Sequence, residues 1–351
     1  VRGDWQVDGT WLPDGQPRTA WVTRGRLVDA PVDGAELLPG RFVLGGLVDA
    51  HCHLSTRRTD AGPEPDDEAG ARRRLTRAWV EGVSVVRDTG GVQGITLRLA
   101  AETPGRLQAS GRFLAPRGQY FPALHEPVEQ DDLVRAALAE IAGGARWVKL
   151  VADFPRLDLE HQPTEPTYDV EAVRRLVEAV HAAGARVAAH TGTVRVSELV
   201  AAGVDSVEHG PGLTEDDLAT MAARGAAWTP TLGAMLDPRA EDSDVRRLRV
   251  AGTVERLKAL LPAARRLGVP VLTGSDVVGS VPGEVGWLVR LGLDPVDALA
   301  AATTTARAFL GVPGALEGGP ADLVTYDDDP RDDPAVLARP AAVLHDGRRL
   351  A

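Results

Sequence analysis

Eight short runs of β-forming residues recur along this chain, near residues 45–52, 83–88, 106–111, 146–152, 186–190, 205–209, 226–231 and 269–275, and helix-like stretches rich in Ala, Leu, Arg and Glu alternate with them. Strands joined through helices lie parallel in one sheet with the helices packed outside it. Eight such units match the count of a closed ring, so the alternation predicts an α/β fold of the (β/α)8, or TIM-barrel, type. A chain of 351 residues, 44% of them hydrophobic, is long and apolar enough to bury such a barrel and still carry an attached piece.

Two flanking segments fall outside the alternation. Residues 1–42 contain Trp21-Val22-Thr23 and Arg26-Leu27-Val28, and residues 315–351 contain Asp322-Leu323-Val324-Thr325-Tyr326 and Ala341-Ala342-Val343-Leu344. Both read as short strands separated by turns such as Asp14-Gly15 and Asp346-Gly347. They predict one small β-sandwich-like subdomain built from both chain ends, with the barrel occupying 43–314. Asp294-Pro295 and Gly311 bracket a final helix over 294–310.

Charge narrows the partners. Thirty-nine basic residues stand against 50 acidic ones, a formal net charge of −11, whereas binding to nucleic acid needs a basic surface. The runs Arg72-Arg73-Arg74 and Arg246-Arg247 sit among acids on helix-like stretches and read as solvated helix faces. No window approaches about 18 uninterrupted apolar residues, so neither a membrane span nor a secretion signal is expected. The lone Cys52 rules out an intramolecular disulfide and fits a reducing compartment, the cytoplasm being the simplest. These features leave a small-molecule substrate as the expected partner, with oligomeric state, a homo-oligomer included, open.

The chemistry begins at His51-Cys52-His53, at the end of the apolar run Phe42–Ala50. Side chains at i and i+2 share one face of a strand, so both imidazoles can aim into the barrel mouth while Cys52 turns away. Neutral imidazole is a favoured zinc ligand, and barrel active sites form where strands end. Further residues of ligand type end other expected strands: Lys149, His190, His209 and Asp276. Four of the eight histidines thus occupy strand ends, a bias that a scatter of structural histidines would not produce.

With these residues in place, the sequence resembles the amidohydrolase superfamily over nearly its whole length. Gly46-Leu47-Val48-Asp49-Ala50-His51-Cys52-His53 looks like the signature of its first strand. Ala302-Thr303 through Leu310-Gly311, then Gly319 to Val324, looks like the C-terminal one. Val86-Arg87-Asp88, Val148-Lys149-Leu150 and Glu208-His209-Gly210 are similar to the branch of prolidase-like dipeptidases and imidazolonepropionase. The resemblance implies two divalent ions, with zinc the expected metal, bridged by a carbamylated Lys149. One ion would be held by His51, His53 and Asp276 and the other by His190 and His209. A plain lysine is cationic near neutral pH and repels a divalent ion, so Lys149 is a ligand only if modified or neutral. Nitrogen and carboxylate ligands also accept iron, cobalt or manganese.

The implied activity is hydrolysis of a C–N bond in an amide, dipeptide or cyclic amide by metal-activated hydroxide, with Asp276 as general base and then general acid. Asp88 is a candidate for orienting the ligand imidazoles, or simply caps the turn before Gly90-Gly91. Glu208 is expected to point away from His209 and form a salt bridge behind the barrel. Where relatives carry Gly-Gly-His, this chain reads Gly118-Gln119-Tyr120, so Tyr120 is a candidate substrate contact, with His125 a possible replacement for the missing ring. The loops 55–66, 112–130 and 153–168 should rim the site, and their Arg57, Arg58, Arg117 and Arg156 are candidates for binding a substrate carboxylate or are ordinary surface residues.

Three other readings compete. A mononuclear deaminase of the same fold usually carries Glu three residues beyond the strand-five histidine, and His190-Thr191-Gly192-Thr193 lacks it. A lactonase or esterase would use closely related chemistry. A non-catalytic scaffold would be expected to have lost ligands that this chain retains.

Overall fold

The computed structural model describes residues 3–60, 62–238, 243–314 and 318–351. The expected start of the C-terminal piece at 315 therefore lies outside the described residues, as do residues 1–2 of the opening segment and position 61 of the loop 55–66. The fold is a (β/α)8 barrel. Its staves are β1 (Leu47–Cys52), β2 (Val83–Asp88), β3 (Leu107–Ala109, continued by Phe113–Leu114), β4 (Trp147–Val151), β5 (Arg186–Thr191), β6 (Ser206–His209), β7 (Ala227–Thr229) and an eighth stave over 269–276. All neighbours pair in parallel.

The eighth stave is irregular although its sequence reads as a strand. Pro270 has no N–H and Gly274 no side chain, which interrupts a ladder. Closure rests instead on separate bonds: Trp228 N–H to Pro270 O at 2.9 Å, Leu272 N–H to Trp228 O at 2.9 Å, Ala50 N–H to Thr273 O at 2.8 Å and Asp276 N–H to His51 O at 2.7 Å. The third stave likewise bends between its two pieces, where Gly111 takes φ +72°.

Helices follow every stave: α1 (Glu68–Val80), α2 (Ile95–Glu102), α3 (Leu133–Ala142), α4 (Val170–Ala182), α5 (Val196–Ala202) and α6 (Glu215–Arg224) after the first six, α7 (Leu232–Leu236) and α8 (Asp244–Leu267) after β7, and α9 (Val281–Arg290), α10 (Pro295–Ala301) and α11 (Thr304–Leu310) after the eighth. The single helix expected over 294–310 is thus two. The physical reason lies in the carbonyls at the break, where Ala301 O accepts from Thr273 N–H and Ala302 O from Val48 N–H. Leaving the helix ladder lets them satisfy strand donors at the closed end of the barrel. There Ala306 and Leu310 pack with Val48, Val85, Trp147 and Leu272.

Strands from both chain ends share one sheet, in which Phe42–Gly45 pairs antiparallel with Leu323–Tyr326 and parallel with the end of Trp5–Trp11. Its buried side includes Trp5, Val7, Trp11, Val22, Leu27, Val43, Leu323 and Leu344. Gly46 separates this sheet from β1, and a Cβ there would lie 2.3 Å from Ser84 Oγ. Among the described residues no helix is long and apolar enough to cross a membrane.

Candidate metal centre

The six strand-end residues meet at one mouth of the barrel. His51 lies in β1 and His53 one residue past its end, with a one-residue bulge across Ala50-His51 where Asp49 pairs Val86 and Cys52 pairs Asp88. Bulges re-aim side chains beside sites, and here the two rings meet edge to face with centroids 5.1 Å apart. The His209 ring packs tilted against His51, with centroids 5.1 Å apart, and edge to face against His190, at 4.6 Å. The ligand atoms of His51, His209 and Asp276 lie within 4.8 Å of one another. His53 Nε2 stands 3.5 Å from Asp276 Oδ1. Two of these residues hold left-handed backbone, His209 at φ +66° and Asp276 at φ +56°, a strained state that persists where surroundings enforce it.

Hydrogen bonds decide which ring nitrogens face inward. His53 Nδ1 donates to Gly90 O at 2.9 Å, and since a carbonyl can only accept, Nε2 keeps its lone pair. His51 Nδ1 donates to the Glu208 carboxylate at 2.5 Å. His209 Nδ1 donates to Thr231 Oγ1 at 2.5 Å, while that hydroxyl donates onward to Pro230 O. Such outer partners are how proteins orient metal-binding imidazoles. Burial holds all four histidines below their ordinary pKa, and His190 falls to about 4 with Lys149 as the next cause. They are therefore neutral at pH 7, the form that binds metal.

Of the nine buried side-chain polar atoms without a hydrogen-bond partner among the described residues, two belong to the strand-end set: His51 Nε2 and Lys149 Nζ. Burial, opposed by Glu208 and Asp276, lowers Lys149 to about 8. An unpartnered buried donor or acceptor is costly, and a divalent ion beside both would remove that cost. Imidazole nitrogens with a carboxylate also form a donor set suited to zinc and its neighbours.

Several expectations change. Glu208 is not behind the barrel but inside it, fully buried, accepting from His51, from Arg87 Nη2 at 2.8 Å and from Ser206 Oγ at 2.5 Å. The positive φ of His209 ends the strand alternation on which the outward placement rested. Asp88 bonds no imidazole; it accepts from Leu54 N–H, Gly90 N–H and Thr96 Oγ1 and so shapes the turns carrying His53 and its Gly90 partner. His125 is turned into its own loop, its nitrogens on Phe121 O and Pro116 O, rather than into the cavity. Arg57 pairs with Glu64 and Arg156 with Asp158 and Glu165, so carboxylates of their own loops hold both away from the cavity, and Arg58 and Arg117, both exposed, do not line it either. Cys52 is buried away from the centre, and desolvation pushes its thiol up.

Tyr120 does line the cavity, a space of about 340 Å³ whose wall also includes Phe113, Phe121, Phe154 and Met235. Sequence reasoning missed Arg87 as a support: fully buried, it donates to Ala50 O, Ser206, Glu208 and Thr229 and lies over the Trp147 ring. It also missed Asp153, which accepts from Thr191 Oγ1, Gly192 N–H and Thr193 Oγ1 just beyond His190. The only sequence signal for either was a charge inside an apolar run.

The amidohydrolase family model matches residues 42–350. An uncharacterised protein of Mycobacterium tuberculosis is 35% identical over 97% of this chain and 94% of its own length. An imidazolonepropionase of Salinispora arenicola is 27% identical over 88% of this chain and 83% of its own. Among solved structures, a prolidase complexed with N-methylphosphonate-L-proline matches with a TM-score of 0.79 and 26% identity, covering 99% of each chain.

Proposed function

Because this chain belongs to the amidohydrolase family, we propose that it hydrolyses the C–N bond of a small amide, dipeptide or cyclic amide at a binuclear metal centre. It is a hydrolase of carbon–nitrogen bonds. The observation that carries the centre is the convergence of inward ring nitrogens on Asp276, with His51 Nε2 and Lys149 Nζ buried beside them and unpartnered. His51, His53 and Asp276 would hold one ion, His190 and His209 the other, with a carbamylated Lys149 between them and zinc the expected metal.

Bound there, divalent ions lower the pKa of water toward about 7 and polarise a carbonyl oxygen. The chain's own residues supply the rest. Asp276, whose carboxylate faces the cavity and is about one-fifth exposed, takes the proton of the attacking water and returns it to the leaving nitrogen. Glu208, Gly90 and Thr231 keep three imidazoles in one tautomer and orientation. The aromatic wall excludes water around the scissile group. The Lys149 amine is the nucleophile for its own modification: with its pKa lowered toward neutrality, the ammonium gives up one proton to solvent, the freed Nζ lone pair bonds the carbon of CO2, and a second proton leaves the nitrogen, so that a cationic group becomes an anionic one. A reducing cytoplasm suits the free Cys52.

Elemental analysis of protein purified without chelators and with bicarbonate tests the reading, comparing wild type with Lys149→Ala. About two ions per chain, fewer in the variant, is the expected result. About one ion in both would make the centre mononuclear and Lys149 structural.

A further inference from the structure

Helix α8 lines a second cavity of about 360 Å³, and four residues, Gly192, Pro211, Ala234 and Met235, wall both this cavity and the one at the metal ligands. The two spaces therefore adjoin at a shared wall. They differ in chemistry: the inner one is largely aromatic, whereas α8 presents Arg246, Arg249, Thr253 and Arg256 to the outer one. Their spacing of 3, 4 and 3 residues places all four on one helix face.

The guanidinium groups of Arg249 and Arg256 lie on one face and repel one another, and the chain answers several other helix arginines with carboxylates. Arg72 pairs with Glu68 and Glu102, Arg98 with Glu68, Arg174 with Glu171 and Arg265 with Asp297. The guanidinium groups of Arg249 and Arg256 have no hydrogen-bond or ion-pair partner among the described residues. Arg246 donates to Met235 O at 3.4 Å, which holds its side chain at the wall the two cavities share. In a chain of net charge −11, this cleft is a local concentration of positive potential at the approach to the candidate centre, and clefts focus such fields onto ions of opposite sign.

We propose that the α8 arginines form an anion subsite that binds a carboxylate on the substrate, at the end remote from an apolar or aromatic group seated in the inner cavity. The proposal rests on the hydrolase reading above and narrows its substrate to amides that carry both parts. Guanidinium matches carboxylate in planar, bidentate geometry, and of the four arginines expected from sequence to be candidates for this role, Arg57 and Arg156 are already paired elsewhere, while Arg58 and Arg117 do not line the cavity. The aromatic wall would accept the ring or alkyl group on the other side of the scissile bond.

The test uses N-benzoyl ω-amino acids from glycine to 6-aminohexanoate, each beside the benzamide of equal length ending in a hydroxyl. Benzoate release by the metal-loaded full chain gives kcat/KM for each pair. Charge-assisted hydrogen bonds contribute roughly 1.5–3 kcal/mol, so the acid should exceed the alcohol by about tenfold or more at the length that spans the two cavities. That ratio should fall toward one in Arg249→Gln/Arg256→Gln and persist in the control Arg247→Gln, whose guanidinium pairs with Asp244. A ratio of one at every length in wild type, or a ratio that survives the double substitution, overturns the proposal. Should no member be hydrolysed, calorimetric titration with N-benzoyl-6-aminohexanoate separates the two ideas. Binding that weakens at least about tenfold in the double variant keeps the subsite while the amide reading falls. Binding that is absent or indifferent to the arginines overturns the subsite itself.

Discussion

Glu208→Gln is the substitution that most directly probes how the barrel interior supports the centre. Glu208, His51 and Arg87 are all fully buried, and the carboxylate receives His51 Nδ1 at 2.5 Å and Arg87 Nη2 at 2.8 Å. Glutamine preserves the volume but removes the charge. Its oxygen can accept from only one side, so its NH2 is driven against the other donor. Breaking a buried ion pair by removing one partner costs about 3–5 kcal/mol, because the remaining charge stays buried. Against a typical total of about 5–15 kcal/mol the variant remains folded but marginal. Loss of the group that orients a ligand imidazole should also cost about 10–100-fold in metal affinity. Urea unfolding of the metal-free protein reads the first effect, and competition with a chromogenic chelator reads the second. The double variant Arg87→Met/Glu208→Gln separates them, since removing both charges should restore much of the stability but none of the metal affinity. If Glu208→Gln loses less than about 1 kcal/mol and holds metal as wild type does, the carboxylate neither balances Arg87 nor positions His51.

Other perturbations follow from the same geometry. Gly274→Ala would put a Cβ 2.6 Å from His51 Cβ and 2.8 Å from Thr229 Cγ2, so it should lower both Tm and metal content; normal values for both would show that the eighth stave can shift. Trp147→Ala empties a fully buried site in the barrel and should destabilise by about 3–5 kcal/mol in denaturant titration. For the metal-free protein, His190 has its folded pKa depressed to about 4 from an ordinary 6.5; the unfolded chain binds its proton first, so stability is fully present above pH 6.5 and is lost as pH falls from 6.5 toward 4. Melting temperatures that stay flat over that window would contradict a neutral, buried His190. Carbamylation needs the unprotonated Lys149 amine, whose pKa is about 8, so activation of metal-free protein by metal and bicarbonate should be faster at pH 8.5 than at pH 7 at equal dissolved CO2.

Local rules determined much of this protein before any coordinates. Helices and parallel strands are written in periodicity, and His51, His53, Lys149, His190, His209 and Asp276 sit at strand ends because the end of an apolar run is visible in one dimension. What pairs with what across the barrel is not local. Glu208 reads as a charge to be placed outside, and nothing local gives Arg87 a partner, yet 121 residues apart in sequence they meet in the interior, where desolvation is tolerated only because each answers the other. The bulge in β1 and the left-handed turns at His209 and Asp276 redirect side chains that simple alternation would place elsewhere. Pro270, Gly274 and the carbonyls of Ala301 and Ala302 trade regular ladders for bonds made at closure. The arginine face of α8 is likewise legible as a spacing, but only the fold brings it to the edge of the cavity that holds the candidate centre.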